Sequence, residues 1–290
     1  MKNVLLAALL VIACLGPEAA ATGAESLRIV SLAPSITEAL DAIGAAGSIV
    51  AVSDHDDSPP SVARLPRVGG YSTPSLERVL AVRPTLVIGE ATFHSAVLAR
   101  LSAMGVRTLS LTMHRSLDQV DTALRALGKE LGRKAAAEKA VVKMRAGLDA
   151  RRRQILGAHP GGVPSVLVVV WHDPLTVAGR TNYIQDILTR LAIPNAARRI
   201  VYSFPQVDRE TVLSLDPDVV VLAQAGKGMA TTRGDFDALF RGLPLRAIRT
   251  GRVVEVRSDS LFHPGPRVLE AAGLLARALN APEGGKPLVP

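Results

Sequence analysis

The chain of 290 residues has one cysteine, Cys14, and only 3% aromatic residues, with a single tryptophan, Trp171. A lone thiol excludes an internal disulfide, so folding has to rest on buried apolar area. So few rings also argue against base-stacking platforms for single-stranded nucleic acid. After the first fifteen residues no segment approaches the roughly 18 uninterrupted apolar residues of a membrane-spanning helix. Enzyme signatures are missing too. There is no Gly-x-Ser-x-Gly elbow, no zinc-protease helix motif and no obvious acid/base pair. Gly226-Lys227 fails as a phosphate loop, because Val221 stands where that motif has its first glycine and Gly228 where it has Ser or Thr. These absences disfavour catalysis.

What is present is ordinary for a globular protein: 48% hydrophobic and 21% charged residues, enough chain for two modest domains with separate cores. Met1-Lys2-Asn3 is a short basic start, Val4 to Leu15 an apolar run, and Pro17 to Ala24 a small-residue stretch, which together read as a signal peptide over residues 1–24. The run of about a dozen residues is too short to span a hydrocarbon core of about 30 Å. Cleavage after Ala19-Ala20-Ala21 leaves a soluble periplasmic protein without cysteine; Val11-Ile12-Ala13-Cys14 also resembles a lipobox, which makes a lipid anchor at Cys14 the alternative. The formal charge of +8 invites a nucleic-acid reading. Export and the even spread of basic residues argue instead for a solvated positive surface and no nucleic-acid partner.

Short apolar strands alternate with helical stretches. Arg28 to Leu32 is a buried strand, Pro34-Ser35 a junction whose amides face the strand's end, and Thr37 to Ile43 a helix closed by Gly44. Strands follow at 49–52, 85–88 and 108–111, with helices at 76–82 and 95–104 between them, a pattern that implies a largely parallel sheet wrapped by helices. From Arg133 to Leu156 there is no proline, and Ala137, Val141, Met144, Leu148 and Ile155 form one helical stripe. About 24 residues at 1.5 Å each span about 36 Å, a connector between domains. The alternation then restarts at Val166 to Val170 and continues through Val219 to Leu222 and Val253 to Val256. Ser75 to Ile88 aligns without gaps on Asp208 to Val221 at an offset of 133 positions (210 less 77), with Glu77/Glu210, Val79/Val212, Leu80/Leu213, Pro84/Pro217 and Val87/Val220 identical. The expected fold is therefore α/β, two related Rossmann-like lobes joined by a single long helix. The expected divisions are an N-terminal lobe at 25–132, the connecting helix at 133–157, a C-terminal lobe at 158–282 and a disordered tail at 283–290.

Several stretches carry a resemblance: Arg28 to Glu38, Pro59-Pro60, Leu65 to Tyr71 with Pro74 to Glu77, Phe204 to Val207 with Glu210, and Ser258-Asp259 with Gly265-Pro266-Arg267. Together they resemble the substrate-binding proteins of ABC importers for cobalamin, ferric siderophores and haem, and cobalamin binders most closely. The resemblance implies a monomer that meets a permease dimer and its ATPase subunits, with membrane contact only through them or the lipid anchor. It also implies no intrinsic cofactor: the metal arrives as a cobalt corrinoid or an iron complex held in a cleft between the lobes. Glu77 and Glu210 match the family's transporter-docking glutamates.

For the ligand, Pro34 and Ser35 end the first strand, and Tyr71 and Phe204 match positions where flat aromatic rings meet a flat macrocycle; the Tyr71 phenol is also a ligand type for haem iron. Trp171 follows an apolar strand and is a candidate for the opposing wall. His55 stands where cobalamin-binding relatives commonly carry tyrosine. His55 and His263 have imidazoles suited to cobalt, iron or a free divalent ion, the last with Asp56 or Asp57. Asp259 is a candidate acceptor for ligand amides, and Arg267 either pairs with an anionic group or caps a helix. His94, His114, His159 and His172 lack ligand-like spacing. A single connecting helix implies little lobe movement on binding.

Overall fold

The computed structural model describes residues 26–225, 231–282 and 286–290; the export segment with Cys14, and Gly226-Lys227-Gly228, lie outside the described residues. Chain order runs β1 (Ile29–Ser31), α1 (Pro34–Ala42), β2 (Ile49–Ala51), β3 (Gly69–Gly70), β4 (Thr73–Pro74), α2 (Leu76–Ala81), β5 (Leu86–Glu90), α3 (Ala91–Ala103), β6 (Thr108–Leu111) and α4 (Leu117–Glu130). It continues through α5 (Lys134–Ala158), β7 (Val166–His172), β8 (Leu175–Val177), α6 (Tyr183–Arg190), α7 (Arg209–Leu215), β9 (Val219–Gln224), α8 (Arg233–Leu239), α9 (Arg246–Arg249), β10 (Val253–Arg257) and α10 (Val268–Leu279).

Two four-stranded sheets result, one in the order β2-β1-β5-β6 and one in the order β10-β9-β7-β8. The first is wholly parallel; in the second only β8 runs antiparallel, as the return arm of a hairpin with β7. Apolar runs such as Val219 to Ala223 are buried along their whole length, as strands covered on both faces must be. The repeat is visible in the backbone. Ser75 and Asp208 each cap a short helix by accepting from the amide three residues on, Arg78 and Thr211. Arg83 and Asp216, at the same offset, both hold left-handed conformations (φ 45° and 35°) just before the paired prolines.

The helix α5 joins the two lobes, and the stripe Ala137, Val141, Met144, Leu148 and Ile155 is its buried face. That face joins one apolar core that takes in Ile36 and Leu40 of α1, Leu124 and Leu127 of α4, Ile184 and Ile187 of α6, and Leu274 and Leu275 of α10. α1 begins three residues earlier than the apolar pattern suggests, because Pro34 at its first position has its φ already set for a helix. The expectation of a disordered tail needs correction for residues 286–290. The amide of Arg257 donates to the Leu288 carbonyl at 2.9 Å, that of Leu288 donates to Glu255 at 2.8 Å, and the Leu288 side chain packs on the core. The open edge of β10 and one apolar residue suffice to hold it.

Met144→Ala removes a fully enclosed side chain where the lobes meet. It is expected to lower unfolding stability by about 2–5 kcal/mol, measured by urea denaturation.

Candidate functional site

In a parallel α/β sheet ligands meet the carboxyl ends of the strands, and those ends carry the candidate residues: Pro34 after β1, His55 after β2, Glu90 at the end of β5, Trp171 in β7 and Asp259 after β10. Tyr71 sits in the two-residue turn of the β3–β4 hairpin, whose register pairs Gly69 with Pro74 and Gly70 with Thr73. Gly69 (φ +114°) makes that turn possible, since a Cβ there would lie 2.7 Å from the Thr73 carbonyl oxygen.

Tyr71 packs against Phe93 at a ring separation of 4.9 Å and edge-on to His94 at 5.3 Å, and Phe93 meets His114 at 6.1 Å. Phe93 remains 45% exposed, so one side of this row is open. His94 fixes it from behind. The Glu90 amide donates to His94 Nδ1 at 2.9 Å, which leaves the proton on Nε2 to donate to the Tyr71 carbonyl at 2.6 Å. Burial lowers the His94 pKa, with the Tyr71 carbonyl and Glu90 opposing. Burial first and the Glu90 charge second raise the Tyr71 phenol above its ordinary value, so it presents a neutral, protonated face.

In the C-terminal lobe Trp171 is half-buried with its ring 5.0 Å from that of His172, while Phe204 (49%) and Tyr202 are exposed on the loop before α7. Asp259 is half-buried at the end of β10. Glu77 and Glu210 both lie exposed in the first turn of their helices, α2 and α7.

Three expectations change. Arg267 stands at the N-cap position of α10, the helix-end place that was one of its two expected roles, and its side chain turns inward: Nη1 donates to Glu38 Oε1 at 3.2 Å across the lobes, and Nε and Nη2 donate to Glu270, so its guanidinium is committed to protein carboxylates instead of a ligand. His263 has Nδ1 buried 3.7 Å from Glu38 Oε1 and lies at the same contact between lobes. Pro34 and Ser35 are buried in the first turn of α1. A bare-metal site is not supported either. His55 is exposed while neighbouring Asp56 is buried, accepting from the Ser53 amide at 3.0 Å, and among the described residues no group of three or more His, Cys, Asp or Glu is placed to hold an ion. Burial raises the Asp56 carboxyl, with Ser53, Thr37 and the His263 charge opposing.

Sequence reasoning missed Glu90, Phe93, His94 and His114. Their spacing has no ligand-like period, and only the parallel pairing of β5 with β6 brings Glu90 to His114. A separate groove of about 520 Å³ lies behind α5, lined in part by Arg133, Lys139 and Lys143.

The chain belongs to the periplasmic binding protein family, whose pattern matches residues 29–260. It is similar to the uncharacterized ABC transporter substrate-binding lipoprotein YvrC of Bacillus subtilis, 26% identical over 259 residues that cover 88% of this chain and 80% of that protein. It is similar also to a cobalamin-binding protein of Halobacterium salinarum, 28% identical over 268 residues, 88% of this chain and 70% of that one. Among solved structures it is similar to a periplasmic heme binding protein from Pseudomonas aeruginosa, 30% identical with a TM-score of 0.78, covering 90% of this chain and 94% of that chain. Membership places the protein in the periplasm, free or lipid-anchored, and among the described residues no helix is long and apolar enough to cross a membrane.

The lowered His94 value has a sign. A histidine whose folded pKa is depressed contributes stability above its unfolded value of about 6.5, and that contribution is lost as pH falls towards the folded value. Unfolding free energy is expected to drop between about pH 7 and pH 5, and His94→Gln to flatten the slope, as followed by urea titration at each pH.

Proposed function

We propose that this protein is the substrate-binding component of an ABC importer, capturing a corrinoid in the cleft between its lobes and delivering it to the permease without chemical turnover. The observation that carries the ligand reading is the open row of Tyr71 and Phe93 at the carboxyl end of the parallel sheet, backed by a neutral His94. A flat, partly apolar macrocycle suits such a surface. The cobalamin-binding relative supports the same class of ligand. Residues 1–24 act as the export segment, 25–132 and 158–282 as the lobes, and 133–157 as their connector. The protein works as a monomer against a permease dimer and its ATPase subunits.

Haem is the second reading, favoured by the 30% identity to a heme-binding structure. Against tyrosinate ligation stands the Tyr71 phenol, which burial and Glu90 hold protonated. Calorimetric titration of the metal-free protein with cyanocobalamin, with haemin and a ferric siderophore in parallel, separates these. The expected result is one-to-one cobalamin binding that weakens about tenfold or more in Tyr71→Ala, the loss of about 1.4 kcal/mol or more from a stacked ring. No heat with cobalamin and tight haemin binding would replace the corrinoid with haem.

Glu77 and Glu210 stand at equivalent exposed places in the two lobes, the arrangement needed to pair with two arginine-bearing membrane subunits; such rim charges set orientation and association rate. In Glu77→Ala with Glu210→Ala, uptake is expected to fall steeply while the calorimetric ligand affinity stays within about twofold. Unchanged uptake would remove the docking role.

A further inference from the structure

We infer that His114 is an axial donor to the ligand's metal, held ready by Glu90; this rests on the reading that the cleft takes a metal macrocycle. Glu90 ends β5 with its side chain only 1% exposed, and it accepts from the Thr92 amide at 2.7 Å, the Met113 amide at 3.4 Å and His114 Nδ1 at 2.8 Å. Arg115 Nε, which can only donate, donates to His114 Nε2, so Nε2 is the acceptor and the proton of the neutral imidazole sits on Nδ1, facing Glu90. The lone pair is therefore on Nε2. Among the described residues its one hydrogen-bond partner is Arg115 Nε at 3.3 Å, on an exposed side chain that can swing away.

A histidine pinned through one nitrogen by a buried carboxylate, with the lone pair of the other held only by an exposed side chain that a metal can displace, is oriented as metal-binding imidazoles are. The packing points the same way. His114 stands inclined at 74° to the ring of Phe93, so its plane is steep to that of a macrocycle lying against Phe93, the inclination an axial imidazole takes. No group of three or more ligands surrounds it among the described residues, which suits a metal whose equatorial positions the macrocycle already fills. The step is a ligand exchange: the metal–water bond breaks, the Nε2–metal bond forms with the imidazole's electron pair, water leaves, and no electron is transferred.

The shared chemistry is a trivalent metal with an exchangeable axial position, cobalt in a corrin or iron in a porphyrin. The test compares aquocobalamin, cyanocobalamin and ferric haemin on wild-type protein, His114→Ala and His114→Gln, the last keeping a side chain able to donate to Glu90. With wild type, aquocobalamin or haemin should show a shifted visible spectrum on binding. Both variants should lose the shift, and their affinity loss should be at least about tenfold larger for aquocobalamin than for cyanocobalamin, whose axial position cyanide already holds; on the haemin arm the Soret shift is lost with affinity. Binding of aquocobalamin or haemin by wild type with the same spectrum as the variants overturns the His114 assignment and leaves the macrocycle reading intact. Failure of wild type to bind either complex overturns both.

Discussion

The geometry of the cleft depends on one buried carboxylate. Glu38, on α1 of the first lobe, is 5% exposed and receives the Arg267 guanidinium of the second lobe. A carboxylate removed from water is several kcal/mol unfavourable unless a charge and hydrogen bonds meet it. Arg267 is itself braced by Glu270 of α10, and Glu270 accepts from Ser258 at the end of β10. The network thus registers the strand ends of one lobe against the first helix of the other. A second tie runs through α4 and α6, where the Leu117 amide donates to Asp186 at 2.7 Å and Arg190 donates to Asp118 at 2.8 Å.

These ties and α5 act together. The helix supplies apolar adhesion along the interface, which is strong but directionless, and the charged contacts give it a register. A joint of this kind resists the wide hinge closure available to lobes linked by flexible strands. The aromatic row is braced in the same way: Tyr71, Phe93 and His94 hold one another through packing and the hydrogen bond from His94 to the Tyr71 carbonyl. Preorganisation of this sort favours affinity by limiting what has to be ordered on binding.

Much of the fold could be read from local pattern. The stripe on α5 follows from helical spacing alone, and the repeat between the lobes reaches the left-handed residues Arg83 and Asp216. α4 and α6 carry apolar stripes of the same spacing, Leu117, Val120, Leu124 and Leu127 in one and Tyr183, Ile184, Ile187 and Leu188 in the other, and were legible in the sequence although no helix was assigned to them above. The site was legible in its hairpin aromatic, Tyr71, and less so in its chemistry. Glu38 and Arg267 are 229 positions apart, and no spacing rule pairs them; Arg267 therefore resembled a ligand contact until the fold supplied its partners. Glu90 and His114, 24 apart, meet only through the pairing of two parallel strands. Leu288 shows the opposite effect, a tail residue of unremarkable sequence ordered by the free edge of β10.

The central claim is that a rigid two-lobed frame offers a preformed aromatic wall to a metal macrocycle. A crystal structure of the protein soaked or grown with cyanocobalamin tests it most directly. The account predicts the corrin between the lobes, against Tyr71 and Phe93 on one side and near Trp171 and Phe204 on the other, with the Glu38–Arg267 contact intact. A corrin seated elsewhere, such as the groove behind α5, or lobes swung apart with that contact broken, would contradict it.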